Sequence, residues 1–255
     1  MSQSRVPNLR EQPKRIREFL KYVRQVCNKH DIELYIGRGS RIVYPLIIDG
    51  EFKRGSKKAM GMGCFIEDEE TGFAKLMIAT KRPRWQWLGT LAHELCHVMQ
   101  WLECEPTYYG TQKMPGADAS AFLDEWLEFE TEFPKRTIRR AVQLTVDCEL
   151  DNEKRSLRML KKFKLPVDEK RYIQAANSYL FFHQVMFENR TWYNKKMFDP
   201  QVLDHMPDHF LPDASYKIGK MPREYVEYLE AIVINKNGWS WKNRNVVSAK
   251  RAAEK

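Results

Sequence analysis

The 255-residue chain is 43% hydrophobic with a formal charge of +9, an ordinary make-up for a globular protein large enough to bury its own core. No run of about 18 apolar residues occurs, which argues against a membrane-spanning helix. The start, MSQSRVPNLREQPKRIREFL, lacks the apolar stretch of a secretory signal. The five cysteines are scattered and form no CxxC pair; they read as reduced thiols of a cytoplasmic protein, not as a disulfide frame. Much of the positive charge sits at the ends. The first 24 residues hold seven Lys or Arg against two Glu, and the last 20 hold six against one. Such ends are either solvated and solubilising or a weak contact for nucleic acid or another polyanion.

In chain order, residues 14–29 are predicted helical, because Ile16, Phe19, Leu20 and Val23 recur at helical spacing between basic residues. DIELYIG then alternates, with Ile32, Leu34 and Ile36 on one side of a strand. RIVYPLIIDGEF holds a further strand interrupted at Pro45. The best hairpin is MGMGCFIEDEETGFAKLMIAT: strands at Cys64–Ile66 and Phe73–Ile78, a turn at residues 69–72, and Gly61 and Gly63 suited to a bulge or a close approach. Past Pro83, a helix runs from about Trp85 to Leu102. CEPTYYGTQKMPGAD reads as a loop, with Tyr108 and Tyr109 either bordering a cleft or packing. DASAFLDEWLEFE is a short acidic helix, and TIRRAVQLTVDCELDNEKRSLRMLKKF one long helix to Phe163, ended near Pro166. A helix over DEKRYIQAANSYLFFHQVMFE follows. The pattern then weakens among Pro200, Pro207, Pro212 and Pro222, before a last helix over REYVEYLEAIVI. A single domain over residues 1–235 and a loose basic tail over 236–255 are expected.

Chemistry concentrates in HELCH, residues 93–97. Two histidines four residues apart lie on one helix face, one turn apart, so both imidazoles can reach one Zn²⁺. Glu94, beside the first of them, can contact a water at the metal without being a ligand, which is the position of a general base. A catalytic zinc site needs a third protein ligand. No His occurs between His97 and His183, but the long helix offers Asp147, Glu149, Asp151 and Glu153. Glu149 shares a partly apolar face with Val142, Val146 and Leu160, where a carboxylate needs a partner. It is the preferred third ligand. Glu153, one turn later, either replaces it or accepts the N–H of a ligating histidine. His93 and His97 on one helix should approach Glu149 on the other; a separation above about 8 Å would exclude the site.

HELCH followed by a distant Glu149 and Glu153 resembles the gluzincin metallopeptidases, in which a helical Glu is the third ligand. HELCHVMQW also resembles the SprT and Spartan group in having a hairpin before the active helix, but the nearby third His of that group is missing here. HELCH with ELDNEKRS and AANSYLFF is similar to uncharacterised phage-encoded metallopeptidase-like proteins, over roughly residues 60–185. The resemblance implies a zincin-like α+β fold: a small, mostly antiparallel sheet with an edge hairpin, packed on the active-site helix and several further helices. It implies a Zn²⁺ cofactor, a peptide or protein substrate laid along the strand Phe73–Thr80, and no membrane. Were the protein phage-encoded, it would act in the host cytoplasm. Tyr172, Tyr179 and His183 are candidates for stabilising an oxyanion, with His183 more simply a core histidine. Two other readings remain: a non-catalytic protein stapled by zinc, with Cys148 or a second carboxylate as fourth ligand, and a nucleic-acid-associated protein working through its basic ends.

Overall fold

The computed structural model describes residues 13–48, 51–59, 62–68, 73–112, 114, 119–128, 131–191 and 195–234. The expected turn at 69–72, Gly61, the first twelve residues and the tail from 235 lie outside them. The fold is α+β and mostly helical, as expected. The region expected as one domain contains two compact units. The first is Met1–Cys104 with Asn152–Asp168; the second is Glu105–Asp151 with Glu169–Lys255.

In the first unit, α1 (Lys14–Lys29) buries Ile16, Phe19, Leu20, Val23 and Cys27, the stripe its spacing predicts. Strand β1 (Glu33–Gly37) buries Ile36 and exposes Glu33 and Tyr35. It pairs in parallel with β5 (Phe73–Ala79), which pairs antiparallel with β4 (Gly63–Asp68). The sheet is therefore mixed, in the order β1-β5-β4. This corrects the expected substrate edge: β5 is central, with both its hydrogen-bonding sides taken, and the outer edge belongs to β4. Central position also explains why β5 buries both faces, Leu76 and Ile78 on one, Met77 and Ala79 on the other. Strands β2 (Val43–Ile48) and β3 (Glu51–Ala59) form a separate antiparallel pair with an irregularity between Pro45 and Ile47. A proline is tolerated there because a two-stranded ribbon consists only of edges. The sequence reading missed β3, whose EFKRGSKKA shows no apolar alternation.

Helix α2 (Arg84–Leu102) packs on β4 and β5 and buries Leu88, Leu91, Ala92, Leu95 and Val98. The closing half of α5 (Lys135–Lys162) belongs to the same unit; its Arg155 pairs with Glu103 just past the end of α2. Helix α5 stops two residues before Leu165. Lys164 takes a left-handed φ of 47°, Leu165 N–H donates to Leu160 O at 3.0 Å, and Lys164 N–H donates to Lys161 O at 3.0 Å. That is a Schellman stop, closed by the buried pair Leu160 and Leu165.

In the second unit, the expected loop contains a short helix, α3 (Pro106–Thr111), begun by Pro106 at its first turn. Helix α4 (Ala119–Leu127), the opening of α5, α6 (Glu169–Asn189), α7 (Pro200–His205) and α8 (Arg223–Val233) share a core that includes Leu123, Val142, Val146, Phe181 and Leu229. Polar side chains on α6 organise the proline-rich stretch that follows. Ser178 donates to Met197 O at 2.6 Å, and Asn177 donates to Pro207 O and His209 O at 2.8 and 2.9 Å. Tyr216 Oη donates to Asn177 Oδ1 at 2.5 Å. A stretch with no periodicity is thus held by captured carbonyls, each bond satisfying a group that burial would otherwise leave costly.

Candidate metal centre

Each half of the centre is built on a helix that its own unit holds rigid. On α2, His93 and His97 stand one turn apart, their rings edge to face with centroids 4.9 Å apart. On α5, Glu149, Asn152 and Glu153 fall within about one turn of an unbroken helix. His93, His97 and Glu149 each offer one ligand atom, and these atoms all lie within 4.8 Å of one another. That is far inside the 8 Å limit set from the sequence. Cys148, although buried, is not part of this group.

Both imidazoles have a partner behind them. His93 Nδ1 lies 3.2 Å from Glu153 Oε1. A carboxylate only accepts, so it favours a proton on Nδ1 and leaves the lone pair at Nε2. His97 Nδ1 lies 2.9 Å from Gln100 Oε1, which sets the same tautomer. Histidine ligands of metals are typically oriented this way, by an acceptor behind the ring. Burial and the neighbouring His93 push the pKa of His97 down to about 3, so its ring is the neutral form that a metal requires. The donor set, two neutral imidazoles and a carboxylate, fits zinc.

Glu94 points away from these atoms towards the sheet. Its carboxylate accepts the N–H of Phe65 on β4. Burial raises its pKa, the strongest influence; His93 and the Phe65 N–H pull it down, and Glu153 adds to the rise. Gly63, on the same strand, makes the close approach predicted for it. A Cβ there would stand 2.9 Å from Glu94 Cγ, 2.9 Å from Thr90 Cγ2 and 3.1 Å from Met77 O. The strand thus clasps the base, and only glycine leaves room.

Asn152 and Gln100 were not singled out from the sequence. Both are fully buried, and both touch a histidine. Asn152 Nδ2 lies 2.9 Å from His97 Nε2 and 3.1 Å from His93 Nδ1. The available signal was position: Asn152 follows Glu149 by three residues and Gln100 follows His97 by three, the spacing that places side chains on one helix face.

The oxyanion candidates fare differently. His183 is a core histidine of the second unit, 4% exposed, with Nδ1 donating to Tyr179 O at 2.9 Å. Tyr179 lies edge to face with it, centroids 4.8 Å apart. Tyr108 and Tyr109 are half-buried on α3 and meet edge to face. None of the five cysteines forms a disulfide, and no helix among the described residues is long and apolar enough to cross a membrane. No family model, no curated protein and no solved structure matches the chain.

Proposed function

We propose that the chain is a zinc-dependent metallopeptidase of zincin-like fold, with His93, His97 and Glu149 holding the metal and Glu94 as general base. The observation that carries this reading is the convergence of those three ligand atoms within 4.8 Å, with Glu94 next in sequence to the first ligand and tied to the edge strand. A Zn²⁺ held there would supply Lewis acidity towards a carbonyl oxygen and a water.

The other steps belong to the chain itself. Glu94, its pKa raised by burial, is a better proton acceptor near neutral pH than an exposed carboxylate. It takes one proton from the attacking water as the C–O bond forms, and returns it to the amine as the C–N bond breaks. The Phe65 N–H holds its carboxylate in place between these transfers. Strand β4 has an unpaired outer edge in its sheet, and an extended peptide laid there would pair through main-chain groups whatever its side chains. Because β4 also carries Phe65, such a peptide would run beside the base.

Zinc content of protein purified without added metal tests the reading, with about one zinc per chain expected. Glu94→Gln should keep the metal and lower cleavage of an unfolded protein substrate by about 10²–10⁴-fold. Absence of zinc, with no uptake by the folded chain, overturns the proposal.

A further inference from the structure

Asn152 makes a contact that a metal site does not need and a metal cannot tolerate. The tautomer set by Gln100 leaves the His97 lone pair on Nε2, and the Asn152 amide nitrogen lies 2.9 Å from that atom. A lone pair accepting an N–H is not available to a cation. The amide is also poorly served where it sits. Its nitrogen is 3.1 Å from His93 Nδ1, which Glu153 at 3.2 Å requires to be a donor, so two N–H groups face each other. Its carbonyl oxygen is buried and has no hydrogen-bond partner, although the side chain is fully enclosed. Buried amides ordinarily have partners for both ends.

We propose that Asn152 is a latch on the metal-free site: its amide caps His97 Nε2, must be displaced when a cation enters, and thereby sets the metal affinity of the centre. The inference rests on the proposed metal site and adds a residue outside its ligand set. The latch is weak by construction. One sound hydrogen bond holds it, against one opposed pair of donors and one unsatisfied oxygen, so displacement releases a poor arrangement along with a good bond. Removing the amide takes a partner from the metal-free state alone, and binding must tighten.

The test is Zn²⁺ affinity of the full chain, stripped of metal, measured by competition with a chromophoric chelator. Asn152→Leu, close in size and unable to donate, should bind Zn²⁺ roughly five- to tenfold more tightly than wild type, the equivalent of one lost hydrogen bond. Asn152→Ala serves as the second variant. A residue with a merely structural role would weaken binding or leave it unchanged, and either result overturns the latch. Weaker binding would instead mark the Asn152 oxygen as a ligand. The wild-type chain provides a further check that needs no variant: the ¹⁵N spectrum of the metal-free protein should show His97 protonated at Nδ1, and protonation at Nε2 overturns the proposal. If neither wild type nor variants take up Zn²⁺, the metal reading itself fails and the latch with it. Equal binding by all sinks the latch alone.

Discussion

Replacing Gly63 by alanine tests whether β4 clasps the base as described. The new Cβ would meet Glu94 Cγ and Thr90 Cγ2 at 2.9 Å and Met77 O at 3.1 Å. Carbon atoms rest about 3.5–4.0 Å apart, so each side chain must retreat by about 0.6 Å or more. Met77 O is backbone of the central strand and has nowhere to go. Thr90 is tied by its hydroxyl to Gln86 O at 3.1 Å. The strain therefore falls on Glu94 and on the seat of α2 against the sheet. Overpacking of this kind costs about 1–3 kcal/mol, whereas alanine in an open strand position would gain about 0.5–1 kcal/mol over glycine. The sign of the change is thus diagnostic. Urea unfolding of Gly63→Ala should show a net loss of about 1–2 kcal/mol, with an unchanged m-value. Any cleavage activity should fall by up to about 10²-fold, the effect of misplacing a reacting group by about 1 Å. A variant as stable as wild type, or more stable, would refute the close approach and with it the placement of Glu94.

Three further outcomes follow from named contacts. Glu149→Gln should abolish zinc binding, whereas Glu153→Gln, which keeps an acceptor for His93 Nδ1, should weaken it by about 10–100-fold; chelator competition separates the two, and equal losses would contradict the different roles given to these carboxylates. Burial pushes the pKa of His183 down to about 4, below the ordinary 6.5, so the unfolded chain takes up the proton first. The stability that neutral His183 contributes is complete above pH 6.5 and is lost as pH falls towards 4, by roughly 3 kcal/mol. His183→Asn, which keeps a donor for Tyr179 O, should flatten the acid limb of stability against pH by that amount, and an unchanged limb would contradict the burial. Lys164→Gly should stabilise the chain by about 0.5–1 kcal/mol in thermal unfolding, because the left-handed backbone at 164 costs any residue with a Cβ; a lower Tm would show that the Schellman stop is misread.

Much of the centre was legible in one dimension because helices convert spacing into direction. His93 and His97 had to share a face, Glu149 and Glu153 had to follow one another by a turn, and neither statement needs a neighbour. The stripe of α1 and the alternation of β1 were legible for the same reason. Gly63 could be marked as a close approach, since glycine in a strand gives up packing for space, but what approaches it could not be read.

What the sequence determined by itself is local: the α+β class, the helix faces, the HELCH geometry and the carboxylates able to complete it. What only the tertiary structure decided is non-local. Strand order is one case: β5 became central, and the free edge passed to β4, because β1 returns in parallel to β5. The polar face of α6 is another, since Asn177 and Ser178 acquire meaning only from the carbonyls of Pro207, His209 and Met197. Asn152 is the third. A lone amide on a charged helix carries no signal along the chain; its role arises where α5 passes α2, with 55 residues between Asn152 and His97. Hydrophobic periodicity records which side of an element is buried, but a hydrogen bond between distant side chains leaves no period to read.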